Sequence, residues 1–373
     1  MVVLHICYIN NNKASGISNV VPEHFKNQKK YNKNIGLLNC NDLVIEQLKE
    51  EENVFNIKDL KKNDITISLT KPFNNPNLVV FHDVYIPVYI KIAKILIKKN
   101  IPYIIIPHGS LSLYAQKTKY LKKKIANIML FNKFIYNSLS IQFLSEEEQR
   151  MSSKFMHNSF VLGNGISSIN QTKRDFNKDK INMIYVGRYS IHNKGIDILL
   201  ESCLKCKSFM LKNNIYLDMF GANTRSGDGF KYIDDYIREH NLEKVVRVFG
   251  PIYDEEKYFQ LRSHDIFIQT SRSEGQPLGI MEAMMIGLPI IASEGTTFSK
   301  LIECNSCGYR FLDSDHFQQL LVKMLHDKDS FQKMSVNSIE FAQKNFLWSD
   351  IAKKTLDIYY RLLNRGENNI EKK

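Results

Sequence analysis

Two glutamates separated by seven residues, Glu274 and Glu282, lie in the segment SRSEGQPLGIMEAMMIGLPIIAS, Ser271–Ser293, directly after the β-rich run Asp265–Thr270. A Gly/Pro-rich turn follows the first, and apolar residues at helical spacing, Ile280, Ala283, Met284 and Gly287, surround the second. A strand that ends in a loop of free backbone N–H groups and then enters a helix makes a cradle for an anion or a hydroxyl. From one or two turns into that helix Glu282 reaches back toward the same place, where its carboxylate can accept hydrogen bonds from a diol. Upstream, IYVGRYSIHNKGIDILLES, Ile184–Ser202, runs a strand into Gly187 and Arg188 and opens a helix at Lys194 and Gly195. Two cations and the positive end of a helix aimed at one place suit a diphosphate.

These residues need a scaffold that ends several strands at one edge. Short β-rich runs separated by helical stretches recur at Val2–Ile9, Ile35–Leu38, Ile65–Leu69, Leu78–Phe81, Tyr103–Ile106, Ser140–Leu144 and Phe160–Leu162. A second series follows at Met183–Val186, Ile215–Phe220, Val245–Phe249, Asp265–Thr270 and Pro289–Ala292. Alternation of this kind predicts parallel sheets with crossover helices, hence two doubly wound α/β domains with ligands at the carboxyl ends of the strands. The polar stretch 167–180, SSINQTKRDFNKDK, lacks apolar periodicity and reads as the linker. Trp348, Ile351, Thr355, Tyr359 and Leu362 recur at three- and four-residue steps and predict an amphipathic closing helix.

The two motif blocks resemble the retaining glycosyltransferases of family 4, which carry the E-x7-E signature and the GT-B fold of two Rossmann-like domains facing across a cleft. The resemblance implies an acceptor-binding domain over 1–166, a linker over 167–180, a nucleotide-sugar domain over 181–345, and a helix over 346–373 that returns to the first domain. It implies that Glu274 contacts the transferred sugar, that the turn Gln276, Pro277, Leu278 and Gly279 faces sugar and phosphate, and that Glu282 holds the nucleotide ribose. Arg188 and Lys194 would then stabilise the departing diphosphate, the main electrostatic demand of glycosyl transfer, with Gly187 beside them among the donor-binding residues. The turn EGQP departs from the commoner EGFG, and Pro277 removes one backbone donor.

In the first domain the loop Ala14-Ser15-Gly16 matches the family's glycine loop near the donor phosphate, with one glycine where two are frequent. His108 with Gly109 matches the histidine at the cleft floor, and Asn164 with Gly165 matches a turn at the interdomain edge that contacts donor or forms the hinge. His82 also ends a strand and is expected behind the site. No Asp-x-Asp motif lies between apolar strands, so no metal and no other cofactor is expected. The family implies front-face transfer in which the leaving oxygen helps deprotonate the acceptor hydroxyl.

The chain has 373 residues, 43% hydrophobic and 24% charged, with 17 Gly and 9 Pro, a globular composition that excludes collagen-like, mucin-like and disordered chains. Of the net charge of +12, the first 165 residues hold +10, from 22 Lys+Arg against 12 Asp+Glu, and the other 208 hold +2, from 29 against 27. In QKTKYLKKKIANIMLFNKFI, Gln116–Ile135, helical spacing puts Leu121, Ile125, Ile128, Asn132 and Ile135 on one face. Lys119, Lys122, Lys123 and Lys133 fall opposite, with Tyr120, Phe131 and Phe134 on the flank, an arrangement that suits an anionic membrane surface or, equally, a solvated face over a core stripe. The run His24–Lys33 adds charge to the same domain. The most apolar stretch, Leu78–Ile97, is broken by His82, Asp83, Pro87, Lys91 and Lys94, so no membrane span is expected. The start on Val2–Ile9 has neither basic region nor cleavage site, which predicts no signal peptide and a cytoplasmic protein; the membrane reading of the lysine-rich helix would make it peripheral on the cytoplasmic face of the plasma membrane. The CxxC pairs Cys203/Cys206 and Cys304/Cys307 lie too far apart for a zinc ribbon and read as reduced thiols.

The leading expectation is a nucleoside-diphosphate-sugar-dependent hexosyltransferase acting on a glycan or glycolipid in capsule or lipopolysaccharide synthesis. A GT-B epimerase or phosphorylase shares the cleft but not the lysine-rich helix. A nucleic-acid-binding protein would use the +12, yet the lysines cluster on one helix. A dinucleotide oxidoreductase lacks G-x-G-x-x-G after any strand.

Overall fold

The computed structural model describes residues 1–117, 120–155, 157–169, 172–173, 175–176, 179–224 and 227–370, with side chains described through residue 364. The chain forms two units: unit 1 is Met1–Gly165 with Trp348–Lys373, and unit 2 is Ile166–Leu347. Among the described residues each unit is built on one all-parallel sheet.

Unit 1 contains β1 (Val3–Cys7), β2 (Ile35–Asn39), β3 (Val54–Asn56), β4 (Leu78–His82), β5 (Tyr103–Ile106), β6 (Ser140–Phe143) and β7 (Ser159–Val161), in the order β3-β2-β1-β4-β5-β6-β7. The central strands are buried throughout, so they read as continuous apolar runs rather than alternating ones. One face packs Leu4, Ile6, Phe81 and Tyr103, and the other packs Val3, Cys7, Val21, Phe25 and Tyr359. The run Ile65–Leu69, expected as a strand, is instead a short helix, Ile65–Ser68. Asp64 starts it by accepting the Thr66 N–H, which turns an apolar run of strand length into a helical turn.

The closing helix, Trp348–Ile370, belongs to unit 1 and lies against the helix Gly16–Lys29. Trp348, Ile351, Ala352, Thr355 and Tyr359 form its buried stripe, and the Tyr359 hydroxyl donates to Gln142. Burial of side chains this size stabilises by about 1.5–3 kcal/mol each, which ties the end of the chain to its first strands.

Unit 2 contains β8 (Ile181–Val186), β9 (Ile215–Phe220), β10 (Val246–Phe249), β11 (Ile266–Gln269), β12 (Ile290–Ser293) and β13 (Gly308–Phe311), in the order β10-β9-β8-β11-β12-β13. The stretch 167–180, expected as a linker, is grouped with this unit. Its Lys173 is buried, pairs with Asp265 at 3.3 Å and donates its N–H to Ile286. An ion pair removed from water holds that residue to the body of unit 2.

The lysine-rich segment of unit 1 differs from expectation. Helical turns Tyr120–Ala126 and Asn132–Tyr136 flank a π-helical turn, Asn127–Phe131. The wider turn shifts the register between the two halves, so one 3.6-residue face does not run through both. Phe131, Phe134 and Ile135 are buried, whereas Leu121 is 71% exposed, Ile128 68% and Met129 73%, with Ile125 exposed beside them. Two of the three flank aromatics, Phe131 and Phe134, are therefore core while Tyr120 is exposed, and much of the expected core stripe is surface. Lys122, Lys124 and Lys133 are exposed, while Lys123 donates to the Ala115 carbonyl and lies over the Tyr85 ring. Lys119 lies outside the described residues.

Candidate active site

In an open parallel sheet the crevice opens where neighbouring strands send their crossovers in opposite directions. In unit 2 that point lies between β8 and β11. Gly187 and Arg188 leave β8 there, and Ser271 to Glu274 leave β11. The helix Leu278–Ile286 begins beside them: a Cβ on Gly279 would lie 3.2 Å from the Phe267 ring and 3.5 Å from the Val186 carbonyl. The turn after β8 and the turn before this helix are thus in close approach.

Lys194 and Glu274 form an ion pair in which both side chains are largely buried. The Glu274 Oε1 also accepts from Gln269 Nε2 at 2.8 Å and Ser271 Oγ at 2.7 Å. Three donors on one oxygen fix the carboxylate plane and leave Oε2 with its lone pairs. Lys194 is held by the backbone of the next residue: Gly195 takes φ +62°, and a Cβ there would fall 2.0 Å from the Thr270 carbonyl oxygen. Only glycine fits. Thr270 Oγ1 donates to the Gly195 carbonyl at 2.9 Å, which latches this turn to the end of β11.

Arg272 adds a second latch that the sequence motifs do not signal. Its guanidinium bonds both oxygens of Asp197, at 2.7 and 2.8 Å, and the carbonyl of His192. Partial burial works to raise the Asp197 carboxyl, and the Arg272 guanidinium outweighs it, holding the group below its ordinary value. Arg188 is exposed, and among the described residues its guanidinium has no partner. Glu282 pairs with Lys257 at 2.7 Å, a partner contributed by the helix Asp254–Ser263 and absent from either motif. Pro277 stands just before the helix Leu278–Ile286, and its carbonyl accepts from Ile280 and Met281. Its missing N–H falls where a helix leaves donors unpaired in any case.

In unit 1 the corresponding point lies between β1 and β4. Gly16 opens the helix Gly16–Lys29, and Ser15 caps it by accepting the Ser18 N–H. His108 and Gly109 follow β5 with φ of 49° and 84°, two left-handed residues in succession. Glu148, buried, accepts the N–H of Gly109 and that of Leu144, which holds the turn in place. Burial pushes the Glu148 carboxyl up to about 7. Asn164 is buried and bonds His24 at 3.0 Å through its side chain. The run that was expected only to add charge turns His24 and Gln28 inward.

Among the described residues no group of three or more His, Cys, Asp or Glu is arranged to hold a metal ion. The six cysteines are free. No described helix is long and apolar enough to cross a membrane.

The fold is that of the GT-B glycosyltransferases. The structure of Anabaena HepE in complex with UDP and glucose superposes with a TM-score of 0.75 at 16% identity, covering 97% of this chain and 100% of that one. Residues 167–343, which lie within unit 2, match the family described as Glycosyl transferases group 1. The GPI3 subunit of phosphatidylinositol N-acetylglucosaminyltransferase from Saccharomyces cerevisiae is 27% identical over 208 residues, covering 50% of this chain and 40% of that protein. The amylovoran biosynthesis glycosyltransferase AmsK of Erwinia amylovora is 26% identical over 181 residues, covering 43% and 42%. The match spans about two fifths of the length of these curated relatives.

Proposed function

We propose that this protein is a retaining, metal-independent glycosyltransferase that moves a sugar from a nucleoside-diphosphate sugar to a hydroxyl of a lipid-linked glycan in cell-surface polysaccharide synthesis. The observation that carries this reading is the grouping of Arg188, Lys194 and Glu274 at the β8–β11 edge, within the segment that matches the glycosyl transferase family. As the C1–O bond to phosphate breaks, negative charge grows on the diphosphate, and the guanidinium of Arg188 and ammonium of Lys194 stabilise it. Glu274 Oε2 takes a sugar hydroxyl, and Glu282 takes the ribose diol. The acceptor oxygen bonds to C1 on the face the diphosphate leaves, and its proton passes to the departing phosphate oxygen.

The lipid part of the proposal rests on two supports. One is the phosphatidylinositol in the name of the yeast relative. The other is the exposed ridge Leu121, Ile125, Ile128 and Met129 beside Lys122, Lys124 and Lys133, which matches an anionic bilayer in both polarity and charge. With the expectation of a cytoplasmic chain, such a surface supports peripheral attachment to the cytoplasmic face of a membrane as part of the proposal.

The test is a panel of donors with nucleoside-diphosphate release as readout, in buffer with and without EDTA, beginning with UDP-sugars. UDP or GDP should raise the melting temperature, and Lys194→Ala should lower kcat/KM by about 100-fold or more, the worth of a charge-stabilising donor. No thermal response to any nucleoside diphosphate, or full turnover in Lys194→Ala and Glu282→Ala, would overturn the assignment.

A further inference from the structure

Four imidazoles gather in the interior of unit 1. His5 lies in the middle of β1, His82 ends β4, His24 lies on the helix Gly16–Lys29 and His108 follows β5. His5 pairs across the sheet with Val80, two residues before His82, so His5 and His82 share a face. Three of the rings are joined in series to Gln28. Gln28 Oε1 is 3.0 Å from His5 Nε2, His5 Nδ1 is 2.9 Å from His82 Nε2, and His82 Nδ1 is 3.1 Å from His108 Nε2. His24 stands outside the series, bonded to Asn164 and edge-on to Trp348.

Each imidazole-to-imidazole bond needs one N–H and one lone pair, and a neutral ring has one of each. The first bond therefore dictates all the others. Because the Gln28 carbonyl oxygen accepts from His5 Nε2–H, His5 Nδ1 accepts from His82 Nε2–H, and His82 Nδ1 accepts from His108 Nε2–H. The series ends with His108 Nδ1 as a bare acceptor, and among the described residues that nitrogen meets no donor. His5, His24 and His82 are fully buried, and His108 alone is partly exposed.

We propose that Gln28, His5 and His82 are positioning residues that lock His108 in its Nε2–H tautomer, so that Nδ1 is presented as an uncharged acceptor for a hydroxyl of a sugar lying at this strand edge of unit 1. The sugar-facing part rests on the glycosyltransferase reading given under Proposed function; the series itself does not. The rings stay neutral at physiological pH because burial lowers all four: His5 and His108 fall to about 3, His24 to about 4, and His82 well below its ordinary value. The left-handed His108–Gly109 turn, clamped by Glu148, is a second sign of a residue held for a task, since such conformations persist only where the surroundings impose them. A reversed Gln28 amide would reverse every bond in the series and turn His108 Nδ1 into a donor.

The experiment is imidazole nitrogen NMR on the full chain labelled with 15N-histidine, with His108 assigned by the signal lost in His108→Phe. Wild-type protein should show His108 with a pyridine-type Nδ1 and a pyrrole-type Nε2. Gln28→Leu, which removes the terminal acceptor, should give mixed tautomers, and Gln28→Glu should restore the single form. With any donor that is turned over, kcat/KM should fall about tenfold in Gln28→Leu, the worth of one hydrogen bond, and recover in Gln28→Glu. A pyrrole-type Nδ1 in the wild type overturns the proposal without recourse to any variant, and so does a Gln28→Leu spectrum identical to wild type. If the tautomer follows Gln28 while His108→Phe transfers sugar normally, the sugar-facing role falls, the glycosyl-transfer reading stands, and of this proposal only the series is left.

Discussion

Unit 1 carries 28 Lys and Arg against 16 Asp and Glu, so the whole net charge of +12 is on it, while unit 2 has 23 against 23 and none. The polar groups inside the two units run the other way. Unit 2 sets ions at and beneath its strand ends, Lys194 with Glu274, Lys257 with Glu282 and Lys173 with Asp265, whereas unit 1 buries neutral imidazoles. Net charge and site charge are thus separate quantities. The first is long-range and lies on the surface; the second is a matter of pairs fixed at ångström distances inside a neutral body. The proposed diphosphate is matched in unit 2 by the exposed Arg188 and by Lys194 already fixed in place by Glu274, and a proposed uncharged hydroxyl is matched in unit 1 by rings that burial keeps uncharged.

The contrast can be broken most forcefully with acid. Burial lowers the pKa of His5, His24, His82 and His108. The folded unit therefore refuses protons that the unfolded chain takes up below pH 6.5, and stability present above that value is lost as pH falls toward 3–4. Each histidine contributes a slope of about 1.4 kcal/mol per pH unit in this window. Burial raises Asp83 and Glu148, the latter to about 7, and these carboxyls favour the folded state on acidification and offset part of the loss. A net loss of about 3 kcal/mol per pH unit from pH 6 to 5 remains. In unit 2, Asp197 and Asp218 are lowered and lose their contribution only below the ordinary carboxylate range. The single tryptophan, Trp348, lies in unit 1 against His24, so its fluorescence reports that unit alone. Its melting midpoint should drop steeply between pH 6.5 and 5 while far-ultraviolet dichroism retains a second, less sensitive transition. An unmoved Trp348 midpoint would refute the account of the imidazoles.

The second way to break the comparison acts on unit 2. Gly195→Ala forces a side chain into a left-handed position and against the Thr270 carbonyl. The conformation alone costs about 1–2 kcal/mol, and the overlap adds to it. Urea unfolding should show the dichroism transition of unit 2 shifted to lower urea with the Trp348 transition in place. Equal shifts in both would mean that the two units do not unfold separately.

The same contrast explains what could be read from the sequence. The candidate site of unit 2 could be proposed from the sequence because Gly187, Arg188, Lys194, Glu274 and Glu282 fall in two compact segments, each a strand, a turn and a helix. Its latches could not, since Arg272 with Asp197 and Lys257 with Glu282 join segments 75 and 25 residues apart. In unit 1, residues 5, 28, 82 and 108 come together only through the order of the strands; His108 and His82 could be picked out singly, but His5 reads as an ordinary core residue and nothing in the sequence links the three. The parallel architecture followed from the alternation of runs. Strands β3 and β13 escaped notice because they are short, lie at sheet edges and lack a continuous apolar run. The surface helix was misread for a different reason: one π-helical turn defeats a constant period.

That helix carries the smallest predicted effect and bears on the surface charge of unit 1. On vesicles of anionic lipid the chain should co-sediment, and binding should weaken as salt screens the lysines. Each of Lys122→Glu and Lys124→Glu should weaken it by at least the ~1 kcal/mol that one lysine contributes near such a surface. Ile128→Asp tests the apolar ridge separately, because its side chain is exposed in solution and its loss leaves unit 1 stability nearly unchanged while removing what would enter the bilayer. Charge reversal that abolishes binding, with Ile128→Asp without effect, would reduce the contact to electrostatic adsorption. Absence of binding at low salt would remove the membrane from the proposal and leave the +12 without an assigned partner, while the diphosphate site proposed for the neutral unit would be unaffected.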